Sequence, residues 1–233
     1  MTDAEVLRGG LIVSVQAAPD SSLAPTEMIV ALALAAQAGG AAALRIEGMN
    51  NIRSVKAKLR VPVIGLIKRV YAGFEPYITP TLDEAEAVAA AGADIVAFDA
   101  TLRARPQGVT VKQLAERVRS AGALPMADCA TESDAAHASG GGVSLIATTL
   151  CGYTKETQEV SLPALDLIRA IRALDAFVIC EGGVHSPADA RSAREAGADA
   201  IVVGTAITNI AWVTTQFAEA LRERTRTDAT AVK

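Results

Sequence analysis

A lysine and a carboxylate that each close a short apolar run are the first residues in this chain able to do chemistry. Lys68 ends the run 63–68 and Glu181 ends the run 177–181. Side chains alternate between the faces of a strand, so Ile64 and Leu66 fall with Lys68, and Phe177 and Ile179 with Glu181. Other short apolar runs also end in polar residues: Gln16, Arg45 with Glu47, Asp99, Asp128, Thr148 with Thr149, and Gly204 with Thr205. Re-entry into solvent explains any one of these, but the recurrence points to a shared polar mouth. A lysine and a carboxylate facing each other across a small pocket address opposite faces of one carbon, which suits proton transfer in an isomerase or epimerase. A lysine acting as a base at neutral pH needs its pKa lowered by burial or a nearby cation, for which Arg45 and Arg69 are the candidates.

The second chemical signal is glycine. Glu181-Gly182-Gly183-Val184 follows one run and Val203-Gly204-Thr205-Ala206 the next. Glycine lets an anion approach the backbone with no Cβ in the way, and paired loops of this kind commonly make a phosphate site. The remaining candidates have plainer readings. His137 is expected on an exposed helix face, Cys129 and Cys180 as packing residues, and Trp212 as a packing anchor. His185, in the loop after the seventh run, is left open as a ligand contact, as is Arg105.

The elements that must position these groups are legible as eight apolar runs, at 11–16, 42–47, 63–68, 94–99, 124–128, 143–148, 177–181 and 200–204. Each is too short for an ordinary helix, and several are rich in Val and Ile. Helical segments are expected between them, among them 81–91, 111–121, 133–139, 162–174, 187–196 and 208–222. Thr81 with Glu84, and Ser186 before Pro187, are helix-start signals. Gly92, Gly197 and Gly140 stand where a left-handed residue would end a helix. Eight strand–helix units in 233 residues allow about 29 residues each. That predicts a single α/β domain over residues 1–233, a closed (β/α)8 TIM barrel of the phosphate-binding type, with a flexible tail from about 225. A doubly wound open sheet is the competing topology.

Composition narrows the function classes. Lys and Arg number 22 against 26 Asp and Glu, a net charge of −4, which leaves no basic excess for nucleic acid or an anionic membrane. Aromatic residues are 3% of the chain, too few for base-stacking platforms. Three scattered cysteines and two histidines favour a reducing compartment and give no zinc pattern. The apolar stretch 28–44 carries Gln37 and breaks at Gly39-Gly40, so it reads as a buried helix and a strand, not a membrane span. With no secretory pattern at the N-terminus, a cytoplasmic protein is expected.

Several of these residues sit in segments that resemble the N-acylglucosamine-6-phosphate (N-acetylmannosamine-6-phosphate) 2-epimerase family. The segments are Ser14-Val15-Gln16, Leu44-Arg45-Ile46-Glu47-Gly48, Pro62-Val63-Ile64-Gly65-Leu66-Ile67-Lys68-Arg69 and Tyr77-Ile78-Thr79-Pro80-Thr81, followed by Asp99-Ala100-Thr101, Met126-Ala127-Asp128, Thr148-Thr149-Leu150-Cys151-Gly152-Tyr153-Thr154 and Glu181-Gly182. They run from about Leu7 to Thr208. The resemblance implies interconversion of N-acetylmannosamine 6-phosphate and N-acetylglucosamine 6-phosphate in sialic acid breakdown, with no metal or organic cofactor. It implies Lys68 as catalytic acid/base with Glu181 as its partner. Gln16, Arg45 and Asp128 become substrate contacts, with Tyr153 a further candidate whose reach is left open, and Gly182, Gly183, Gly204 and Thr205 the phosphate site. It also suggests a homo-oligomer, a homodimer first. Two positions depart from the family pattern: Asn209-Ile210 replaces an Arg-Pro, and Gly183 replaces an Arg or Asn. The same residues also fit a lyase using Lys68 as a Schiff base, a phosphosugar-binding barrel without catalysis, or a salt bridge with no chemistry.

Overall fold

The eight apolar runs form eight parallel strands, and the ring closes. The computed structural model describes residues 4–228. Its strands are β1 (Leu11–Val15), β2 (Ala43–Glu47), β3 (Val63–Leu66), β4 (Ile95–Asp99), β5 (Leu124–Asp128), β6 (Leu145–Ala147), β7 (Phe177–Glu181) and β8 (Ala200–Val203). Each pairs in parallel with its sequence neighbours, and β1 pairs with β8 through Leu11–Ile201, Ile12–Val202 and Val13–Val203. This is the (β/α)8 barrel; the open doubly wound sheet is excluded by that last pairing.

Between the strands lie α1 (Thr26–Ala38), α2 (Met49–Lys56), α3 (Leu82–Ala90), α4 (Val111–Ser120), α5 (Glu132–Gly140), α6 (Leu165–Arg172) and α7 (Pro187–Glu195); after β8 come α8 (Thr205–Thr208) and α9 (Ile210–Asp228). Thr81 and Ser186 are the caps expected of them, each closing a capping box, with Glu84 and Asp189 respectively. Gly92 and Gly197 take left-handed φ values of 101° and 112° after α3 and α7. For α5 that position is Gly142, with φ 81°, while Gly140 is still inside the helix.

Among the boundaries that differ from expectation, three have clear local reasons. The helix placed at 162–174 begins only at Leu165, since Pro163 disfavours a helical Leu162. The single helix placed at 208–222 is two, broken at Asn209, whose side-chain Oδ1 accepts the Trp212 N–H at 3.0 Å and so caps α9. And β3 stops at Leu66, because residues 67–69 leave the ring to pair with a returning segment. Lys68 bridges Ile78 in antiparallel fashion, the Arg69 N–H donates to Tyr77 O at 2.8 Å, and the Thr79 N–H donates to Ile67 O at 2.8 Å. The expected tail from about 225 falls partly within α9, which reaches Asp228, and otherwise outside the described residues.

Alternation divides the core in two. Ile12, Ala43, Ile64, Ile95, Met126, Leu145, Ile179 and Val202 fill the barrel interior, while Val13, Leu44, Val96, Ala127, Ile146 and Cys180 pack outward against the helices. The α1 helix, expected to be buried, buries only Ile29, Val30 and Ala33, leaving Met28 and Leu34 exposed. Among the described residues no helix is long and apolar enough to cross a membrane.

Candidate active site

The interior plug ends at Ala147, Ile179 and Val202, and the next inward position on each strand is where the polar groups begin. Two residues beyond Ile12, Ala43, Leu66, Met126, Ala147, Ile179 and Val202 come Ser14, Arg45, Lys68, Asp128, Thr149, Glu181 and Gly204. They converge on a cavity of about 320 Å³ at the C-terminal ends of the strands. Gln16, Arg45, Lys68, Tyr153, Glu181, Gly182, Gly183, Gly204 and Thr205 all line it. The strands carrying Lys68 and Glu181 are four apart in the ring of eight, so the two groups enter from opposite walls.

Asp128 is brought to the same place but does not line the cavity. It is fully buried below Arg45, with Arg45 Nη2 on its Oδ2 at 2.6 Å and Nη1 on its Oδ1 at 3.2 Å. Arg45 Nη1 also lies 3.2 Å from Glu181 Oε2. A guanidinium with 1% exposure is therefore held between two carboxylates and stays charged. Removing Asp128 would leave the Arg45 charge without its two-bond partner in a dry place, which makes this pair a rigid floor.

The floor tunes the two titratable groups above it. The lysine pKa is lowered, first because the surrounding protein crowds solvent away and next because of the Arg45 cation; Glu47, Glu181 and Asp128 pull the other way. Arg45 is thus the cation that acts on Lys68. Arg69 turns outward to Glu84, at 3.3 Å. Burial pushes the Glu181 carboxyl up to about 7, with Asp128 adding to the rise and Arg45, Thr149 and Lys68 opposing it. A lysine moved down and a carboxyl moved up are shifted toward each other, the direction that favours proton exchange by both.

Sequence reasoning missed several lining residues. Tyr77 reaches the cavity from the segment that returns beside Lys68, a pairing with no local signature. Thr149 stood out only as a polar strand end, although its inward parity with Ala147 was readable. His185 lines the cavity and packs on Trp212, ring centroids 4.9 Å apart, so the tryptophan steadies a residue at the rim. Arg105 lies elsewhere: it is buried, and donates to the carbonyl oxygens of Asp99 and Thr101. His137 is exposed on α5, and the three cysteines are buried free thiols. Among the described residues no group of three or more His, Cys, Asp or Glu is placed to hold a metal ion.

Comparison with known proteins decides the family. The model for the NanE family, described as "Putative N-acetylmannosamine-6-phosphate epimerase", matches residues 29–223. The chain belongs to that family. A Yersinia pseudotuberculosis relative named "Putative N-acetylmannosamine-6-phosphate 2-epimerase" is 45% identical over 217 residues, covering 93% of this chain and 92% of its own. One of the same name from Cutibacterium acnes is 44% identical over 220 residues, 93% of this chain and 95% of its own. The solved N-acetylmannosamine-6-phosphate 2-epimerase of Clostridium perfringens superposes with a TM-score of 0.89 at 37% identity, over 93% of this chain and 95% of that one. A 3-hexulose-6-phosphate synthase, at 21% identity and a TM-score of 0.62 over 87% of this chain and 93% of that one, shares the fold alone.

The two positions expected to depart from the family pattern each have a local structural setting. A Cβ on Gly183 would stand 2.2 Å from Leu162 Cβ, and its φ of +69° is strained for any other residue, so the loop before α6 closes over a glycine and leaves no room for a long side chain. Asn209 serves as the cap of α9 described above while also facing the cavity.

Proposed function

We propose that this chain interconverts N-acetylmannosamine 6-phosphate and N-acetylglucosamine 6-phosphate by moving the C2 proton of the open-chain sugar, a step in amino sugar breakdown. The observation that carries the reading is the opposed pair Lys68 and Glu181, with pKa values displaced toward each other above a shared buried Arg45. C2–H in the open-chain sugar is adjacent to an aldehyde, so its removal gives an enolate with charge on O1 and the acetamido group still on C2. In one direction neutral Lys68 accepts the C2 proton and becomes an ammonium, and protonated Glu181 returns a proton to the opposite face and becomes a carboxylate. The reverse direction exchanges their roles. Arg45 faces the cavity with its charge fixed, and stabilises the developing oxyanion.

The other groups hold the substrate. Gln16 Oε1 and Arg45 Nε are buried polar atoms without hydrogen-bond partners, which leaves an acceptor and a donor for substrate N–H, hydroxyl or carbonyl groups. Gly182 and Gly183, both at positive φ, and Gly204 with Thr205 form the lip that receives the 6-phosphate. Asp128 acts on the substrate through Arg45. Tyr153, 62% exposed over Gly182, closes the outer side.

We also propose that the chain forms a homodimer. The observation in favour is α9, which packs chiefly on α8 and leaves Ile210, Phe217 and Leu221, spaced along one face, exposed. The buried free thiols favour a reducing compartment such as the cytoplasm.

Proton NMR with N-acetylmannosamine 6-phosphate in D2O tests the activity. The expected result is loss of the C2–H signal together with growth of the gluco epimer. An unchanged C2–H signal with ligand bound would overturn the assignment and leave a phosphosugar-binding barrel.

A further inference from the structure

The two carboxylates of the site share more than Arg45. Thr149 Oγ1 lies 2.7 Å from Asp128 Oδ1 and 3.2 Å from Glu181 Oε2, and Arg45 Nη1 lies 3.2 Å from each of those same oxygens. A threonine hydroxyl has one hydrogen and two lone pairs, so it cannot donate to both carboxylates at once. The shorter contact assigns the hydrogen to Asp128. Oγ1 then turns a lone pair toward Glu181 Oε2, which suits a carboxylic acid that donates and opposes a carboxylate. When Glu181 loses its proton, rotation about Cβ–Oγ1 swings the hydrogen across to Oε2, and Asp128 keeps both bonds from Arg45.

We infer that Thr149 is a positioning residue whose rotating hydroxyl makes both protonation states of Glu181 compatible with a permanently ionised Asp128. This rests on the reading of Glu181 as an acid/base. The charged and titratable groups that face Glu181 are Arg45 from β2, Lys68 from the segment after β3 and Asp128 from β5, with the Thr149 hydroxyl from the end of β6. Among them Thr149 alone can change from donor to acceptor without changing charge. Its backbone site is fixed independently: the neighbouring Thr148 Oγ1 donates to Glu181 O at 2.9 Å and accepts the Glu181 N–H at 3.1 Å, locking the two strand ends together. Loss of the Thr149 hydroxyl therefore leaves the frame in place and removes only the adaptable bond.

Thr149→Val keeps the shape and deletes the hydroxyl, Thr149→Ala deletes it without adding a methyl that must pack, and Thr149→Ser restores it; thermal melting shows which variants fold. The expected kcat for Val and Ala is about tenfold to hundredfold below wild type, the loss of one hydrogen bond to a charged group, with KM within about threefold. Thr149 bonds both forms of Glu181, but its bond to the ionised form is charge-assisted and the stronger, so its loss moves the limb of the kcat profile that Glu181 governs to higher pH in both. Serine recovers most of the rate and the wild-type limb. Wild-type kcat and profile in Val or Ala, or a serine variant as slow as valine, would overturn the assignment. Titration of the Glu181 carboxyl carbon by 13C NMR, assigned with Glu181→Gln, reads the same shift without turnover. A wild type with no C2 exchange would sink the epimerase reading, while this titration still decides the role of Thr149.

Discussion

At the scale of single residues, Lys68 and Glu181 carry separable signatures. A positioned acid or base contributes roughly 10²–10⁴-fold, so Lys68→Ala is expected to lower kcat by that order and to abolish C2–H exchange in D2O, with Tm unchanged at an exposed position. Retained exchange in Lys68→Ala would remove the lysine from the mechanism. Borohydride added during turnover should leave Lys68 unmodified, since proton transfer forms no imine. Glu181 has a second signature in stability. Its carboxyl binds a proton more tightly in the folded chain, at about 7 against an ordinary 4.5, so its contribution is fully present below about 4.5 and is lost as pH rises through about 7. Above that point the folded state holds an ionised group that burial disfavours. Glu181→Gln is therefore expected to be more stable than wild type at pH 8, by about 2 kcal/mol, and no more stable at pH 4, while losing activity at both. Urea denaturation at the two pH values checks it; a difference that does not depend on pH would mean that the carboxyl is not held up in the folded chain.

Single elements show where the sequence was readable and where it was not. Polar residues closing the apolar runs of a barrel put Gln16, Arg45, Lys68 and Glu181 at one mouth, and alternation within the strand turns Lys68 and Glu181 inward. Caps at Thr81 and Ser186 were equally local, and so equally legible. What alternation does not reveal is depth. Asp128 has the right parity, but Arg45 lies over it, and only the packing of one ring position against another shows that the carboxylate is roofed. The same holds for Gly183, whose reason is Leu162, 21 residues earlier in the chain. That contact makes a prediction at the level of the loop. Gly183→Ala adds one methyl at positive φ against Leu162 and should cost about 1–3 kcal/mol, read as a lowered Tm. Adding Leu162→Gly should recover part of the loss, because it removes the Cβ in the way; a double variant whose losses simply add would show that backbone strain alone is responsible.

On the scale of the whole molecule, α9 presents an unfinished surface among the described residues. A (β/α)8 barrel normally covers each strand with a helix that packs back on the ring, yet α9 makes its main contact with the short α8, and Ile210, Phe217 and Leu221 stand 57%, 72% and 74% exposed along it. Single exposed apolar residues are ordinary, but three at intervals of seven and four lie on one side of a helix and form a stripe. A second copy presents the same stripe, so a two-fold pairing is self-complementary. The stripe also bears on the site, because α9 begins at the Asn209 cap and carries Trp212, on which the rim residue His185 rests. Pairing that orders α9 therefore steadies the rim of the cavity. Phe217→Asp with Leu221→Asp places four like charges at a symmetric contact and should give a monomer by analytical ultracentrifugation. The wild type should sediment as a dimer. Activity separates the two consequences: a monomeric variant with raised KM and wild-type kcat fits an α9 that supports the phosphate lip and not the groups that move the proton. A wild type that sediments as a monomer would leave the stripe without a function and end the argument for a dimer.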